Sequence, residues 1–231
     1  MKTNRIMGLV FALAFAATIL ALTGLSPVRF YQKPRIRRRD LATLILMDCS
    51  GSTGEEREAQ RIIEIERESA LILGQGLAGL GDSFAICGFS GQGRENCEYY
   101  VYKGFDEAWG PETIRRLMGA SPRSSTRIGA ALRHSGALIG RRGSRQKLVL
   151  LVTDGRPMDA GYDPESRYAQ FDVRMACEEN QRRGIHTFAI STEKNSRADM
   201  EIMFPRRRFV ILADIRSLPR VLPQMFLRLT L

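Results

Sequence analysis

Five side chains in this sequence carry hard oxygen donors and sit where strands are expected to end. Asp48-x-Ser50-x-Ser52 presents one carboxylate and two hydroxyls on one turn. Thr126 adds a third hydroxyl just before a helix, and Asp154 adds a second carboxylate. A set without thiolate or imidazole suits Mg²⁺ or Mn²⁺ and suits Zn²⁺ or Cu²⁺ poorly. Magnesium takes about six oxygens and usually keeps some waters. Two carboxylates balance its charge, so one position can stay open for a carboxylate from another protein. Any one of the five is ordinary, because Asp and Ser also cap helices and form turns after strands. All five in matched places are not.

Hydrophobic patterning supplies the elements that must position them. Leu41–Met47 (LATLILM) and Lys147–Thr153 (KLVLLVT) are continuous apolar runs, as in buried parallel strands. Asp48 and Asp154 each follow one of them directly. Further strands are expected at Ser83–Phe89, Tyr99–Lys103 (short, aromatic and nearer an edge), Ile185–Ser191 and Phe209–Leu212. Helices are expected at Gln60–Leu80, Pro111–Met118, Arg127–Leu138, Glu165–Arg183 and Ile215–Leu229. Pro111 suits a first helical turn and Gly184 a C-terminal cap. Pro219 and Pro223 start or interrupt the last helix. Strands alternating with helices predict an α/β fold: a doubly wound, mostly parallel sheet with helices on both faces. Ligands of such sheets bind at the carboxyl ends of strands.

These residues also carry a family resemblance. D-x-S-x-S (48–52), T-x-x-G-x-A-L (Thr126, Gly129, Ala131, Leu132) and T-D-G (153–155) resemble the metal-ion-dependent adhesion site of von Willebrand factor type A domains. The resemblance covers residues 41–231 and implies a Rossmann-like sheet. It also implies Mg²⁺ or Mn²⁺ held, directly or through water, by Asp48, Ser50, Ser52, Thr126 and Asp154. Residues 39–53, 88–109, 125–139, 151–159, 168–191 and 214–230 further resemble the C-terminal domain of nitric oxide reductase activation proteins of the NorD type. That resemblance implies an adaptor that works with a MoxR-type AAA+ ATPase to activate or assemble a metalloenzyme. The chain departs from that pattern in lacking the family's long N-terminal region, with an apolar segment in its place.

The 231 residues carry a formal net charge of +10, with 44% hydrophobic and 26% charged residues, an ordinary globular balance. Residues 1–40 hold eight Lys/Arg and one acid, Asp40, a net of +7; the other 191 hold 27 Lys/Arg and 24 acids. Ile6–Leu25 contains no charge and, as a helix, would rise roughly 30 Å, the thickness of a bilayer core. Residues 1–28 are therefore expected to be a transmembrane anchor, or alternatively a signal sequence, and 29–40 a basic juxtamembrane linker. The basic flank orients the following domain toward the cytoplasm, at the inner membrane, with an exported or periplasmic placement as the alternative. Nucleic acid is not expected as a partner, since no aromatic residue interleaves Arg35–Arg39 and the domain is nearly neutral.

Other chemistries fare worse. Gly74-x-Gly76-x-x-Gly79 falls late in a helix, whereas a dinucleotide fingerprint opens one. There is no Walker A sequence, no CxxC pair and no G-x-S-x-G elbow around Ser50. His134 and His186, the two histidines, are expected to be a surface and a structural residue. Cys49 should turn away from the oxygen ligands as a small buried hydrophobe. Asp159 and Arg156 border the Asp154 loop and are expected on the partner surface. A binding module is thus favoured over a metal-dependent, phosphatase-like hydrolase and over an exported adhesion protein.

Overall fold

The computed structural model describes residues 40–54, 56–57, 60–155, 157–159, 162, 166–204 and 208–230. The expected anchor, Ile6–Leu25, and nearly all of the basic linker lie outside the described residues. Among the described residues no helix is long and apolar enough to cross a membrane.

Six strands form one sheet: β1 (Leu41–Asp48), β2 (Ser83–Gln92), β3 (Asn96–Lys103), β4 (Gln146–Thr153), β5 (Ile185–Ser191) and β6 (Phe209–Ile211). Their order is β3-β2-β1-β4-β5-β6, and every pairing is parallel except β2 with β3. Among the described residues six α-helices accompany them: α1 (Ile62–Leu80), α2 (Pro111–Met118), α3 (Ile128–Gly140), α4 (Tyr168–Arg182), α5 (Arg197–Met203) and α6 (Leu218–Thr230). A two-residue ladder pairs Glu56–Arg57 with Gln60–Arg61. The chain winds outward in both directions from β1 and β4, so the strand order reverses between them. That is the switch point where open α/β sheets take ligands.

The period of two along each strand divides the core. Ile45, Met47, Leu150, Val152, Phe188 and Ile190 pack on one face with α1, α2 and α6. Leu44, Leu46, Val149, Leu151 and Ala189 pack on the other with α3, α4 and α5. Because both faces are covered, β1 is buried along its whole length, which is why it reads as an unbroken apolar run.

Local sequence explains most boundaries. Gly81 (φ +71°) caps α1, and Asp214 accepts from Arg216 N at 2.9 Å to open the turn before α6. Pro219 falls in the first turn of α6, whereas Pro223 lies within the helix. Two differences from expectation have physical causes. β2 and β3 run longer than their apolar cores because they pair antiparallel as far as Gln92 with Asn96. Helix α5 (RADMEIM) has only two buried residues, Met200 and Met203, too few to give a periodic signal.

Candidate metal centre

Asp48 is the last residue of β1 and is fully buried. Its Oδ1 accepts from Ser50 N at 2.9 Å, which folds the loop back over the carboxylate. Its Oδ2 accepts from Thr153 Oγ1, at the end of β4, at 2.8 Å. Ser50 Oγ and Ser52 Oγ lie 3.0 Å apart, the first buried and the second exposed. Asp154 follows β4 directly and is half-buried. Four of the five predicted residues therefore meet at the ends of two adjacent strands, β1 and β4.

Thr126 reaches the same place through its backbone. Arg123 N donates to Cys49 O at 2.8 Å, and Gly51 N donates to Ser124 O at 2.7 Å. Two further bonds, from Ser125 N to Gly91 O and from Thr126 N to Met158 O, are both 2.7 Å. The buried Thr126 is thereby tied to the β1 loop on one side and to the loop after Asp154 on the other. Gly155 has a φ of +104°, and a Cβ there would sit 2.6 Å from Ser196 Cβ. Glycine alone suits the turn that carries the chain away from Asp154.

Electrostatics favour a cation here. Burial first, and the charge of Asp154 second, push the Asp48 carboxyl up to about 7, against the pull of its bonds to Ser50 and Thr153. Two carboxylates in a desolvated site oppose each other's ionisation, and a divalent ion relieves that conflict. Among the described residues no group of three or more His, Cys, Asp or Glu could hold a metal ion. A cation at this position would therefore need hydroxyls as well as carboxylates, the chemistry of Mg²⁺ or Mn²⁺. The donor set fits that ion.

The surrounding residues sort themselves by the direction they face. Cys49 turns away from the oxygen donors into the core, its Sγ 3.4 Å from Tyr102 OH, and burial pushes its thiol up to about 12. That is the small buried hydrophobe expected. His134 is exposed and packs at a tilt against Tyr99, with ring centroids 4.4 Å apart, and His186 is also exposed. Gly74 packs against Trp109, whose Cη2 would lie 2.9 Å from an added Cβ, while Gly76 and Gly79 face open space. Asp159 corrects an expectation. Its side chain is buried, accepting from Gly93 N and from Arg127 Nε, each at 2.7 Å, so it braces the Thr126 segment and lines no partner surface. Arg156 lies outside the described residues.

Two contributors escaped the sequence reading. Thr153 belongs to the T-D-G run and holds Asp48 in place. Glu66 lies on α1, 1% exposed, and is electrostatically coupled to Asp48 and Asp154. Its signal was helical spacing: Ile62, Glu66, Ser69 and Leu73 fall on one face, so an acid stands in the buried stripe.

Comparison with known proteins follows the same lines. The von Willebrand factor type A domain matches residues 44–224. Protein NorD of Brucella suis biovar 1 (strain 1330) is 33% identical over 207 residues, covering 90% of this chain and 32% of that protein. Protein NorD of Stutzerimonas stutzeri is 35% identical over 185 residues, covering 80% of this chain and 30% of that protein. The chain thus spans about a third of the length of these curated relatives. Among solved structures, the PilB minor pilin from Streptococcus sanguinis superposes with a TM-score of 0.64 at 15% identity, over 84% of this chain and 62% of that one. The pilus adhesin SpaC from Lactobacillus rhamnosus GG gives 0.63 at 15% identity, over 83% and 31%. At these identities the pilins share the fold alone. Strand order and sequence agree: the chain belongs to the von Willebrand factor type A domain family, and it is similar to proteins named NorD over about a third of their length.

Proposed function

We propose that this protein is a metal-dependent protein-binding module that helps activate or assemble a metalloenzyme, with nitric oxide reductase the first candidate client. Asp48, Ser50, Ser52, Thr126 and Asp154 would hold Mg²⁺ or Mn²⁺, and the ion would supply a positive centre for an acidic side chain of the client. The chain's own residues prepare that exchange. Thr153 and Ser50 N fix the Asp48 carboxylate, and the Arg127–Asp159 pair fixes the segment bearing Thr126. The carrying observation is the meeting of Asp48, Ser50, Ser52 and Asp154 at the switch point, in a chain whose curated relatives include proteins named NorD.

In this reading the protein is an adaptor and not a catalyst. A MoxR-type AAA+ ATPase would supply the mechanical work, and residues 6–25 would hold the domain at the cytoplasmic face of the inner membrane. The test is a strain lacking this chain, complemented with wild type or with Asp48→Ala, and assayed for nitric oxide consumption by its membranes. Restoration by wild type and not by Asp48→Ala supports the reading. Equal consumption in all three strains contradicts it.

A further inference from the structure

Helix α1 carries a buried carboxyl group, Glu66, which is 1% exposed and has no hydrogen-bond partner for either Oε among the described residues. Arg67, the next residue on the helix, directs its Nη1 elsewhere, donating to Met118 O at 2.6 Å and Ala120 O at 3.1 Å, and its buried Nε also has no partner among the described residues. An unpaired buried carboxyl is costly, and an apolar residue would fill a helix–sheet interface better. The turn Gly51–Gly54, which bears Ser52, packs against α1, and Glu66 interacts with Asp48 and Asp154. Both interactions are repulsive and, after burial, they hold the Glu66 carboxyl well above its ordinary value. A cation beside Asp48 and Asp154 would offset that repulsion.

We propose that Glu66 is a third carboxylate of the cation site, acting on the ion's hydration shell from the α1 side and not as a direct ligand. It completes no group of acidic residues able to hold the ion directly. Magnesium and manganese keep waters, and such waters need acceptors at their far side. Both Glu66 oxygens are free to accept, and no other buried carboxyl among the described residues lies on this side with both oxygens unpartnered. The inference rests on the Asp48 centre and extends it to a residue outside the five.

The test is Mn²⁺ titration of the full 231-residue chain, followed by electron paramagnetic resonance, with thermal melting in chelator measured in parallel. Wild type, Asp48→Ala, Glu66→Gln and Glu66→Leu are compared. The expected result is a saturable site in wild type, none in Asp48→Ala, and an affinity about 10- to 100-fold weaker in both Glu66 variants. Metal-free Glu66→Leu should melt at or above the wild-type temperature, because an unsatisfied polar group has been replaced. Wild-type affinity in the Glu66 variants overturns the role of Glu66 and leaves the Asp48 centre standing. So does a lowered metal-free melting temperature or a failure to fold in both variants, since either makes Glu66 structural. Absence of a site in wild type, or its survival in Asp48→Ala, overturns the centre itself and Glu66 with it.

Discussion

Thr153 Oγ1 donates to Asp48 Oδ2 across 2.8 Å, joining the last residues of β4 and β1 at the point where the strand order reverses. The same hydroxyl accepts from Gly155 N at 3.2 Å, so one side chain sets both the Asp48 carboxylate and the turn after Asp154. Thr153→Val keeps shape and loses both bonds. It should weaken Mn²⁺ binding about 10-fold and lower stability by about 1–2 kcal/mol, while Thr153→Ser should preserve most of each. Calorimetric titration and urea unfolding measure the two effects. Unchanged affinity in Thr153→Val would show that Asp48 needs no such support.

Stability of the metal-free protein should depend on pH in a direction opposite to most carboxylates. Asp48 has an ordinary value of 3.8 and is pushed up to about 7 in the fold, chiefly by burial. The folded state therefore binds a proton that the unfolded state releases. Its contribution is fully present below about 4 and is lost as pH rises through about 7. Melting temperatures in chelator should fall across that window, and Mg²⁺ should remove the slope by taking the proton's place. A metal-free stability that climbs with pH over the same range would contradict the placement of Asp48.

The Arg127–Asp159 pair should matter for the fold and not for partner contact. Asp159 is buried and answers two donors, Arg127 Nε and Gly93 N. Arg127 also lies over the Tyr162 ring, 4.7 Å from its centroid. Asp159→Ala strands both donors and should cost about 3 kcal/mol in urea unfolding. A cost under about 0.5 kcal/mol, as for a surface residue, would restore Asp159 to the partner face.

The four cysteines are free in the structure, and they should differ in reactivity. Cys49 and Cys87 are buried with thiols raised to about 12 and about 11, so few thiolates form. Cys97 is exposed. Native labelling at pH 8, read by peptide mass spectrometry, should modify Cys97 first and leave Cys49 untouched until unfolding. Rapid labelling of Cys49 in the folded protein would contradict its burial beside the oxygen donors.

The fold was largely legible because parallel strands covered on both faces need unbroken apolar runs, and Leu41–Met47 and Lys147–Thr153 supply them. The two acids that end those runs then marked the site. Thr126 followed from its place before a helix, although the bonds that carry it there, from Ser125 N to Gly91 O and from Thr126 N to Met158 O, join backbone atoms that leave no trace in residue type. Glu66 was hidden because acids on an amphipathic helix are normally its solvent face. Asp159 was misplaced because nearness in sequence to Asp154 does not fix which way a side chain turns. Helix α5 was missed because two buried methionines make no pattern.

The central claim is ion-dependent capture of a client through Asp48. It is tested most directly by passing detergent-solubilised membranes over the immobilised full chain, with Mg²⁺ or with chelator, for wild type and for Asp48→Ala. Bound proteins are identified by mass spectrometry. Nitric oxide reductase subunits retained by wild type in Mg²⁺, and lost both in chelator and in Asp48→Ala, are the predicted result. Retention that is the same under all these conditions, or absent under all of them, would contradict it.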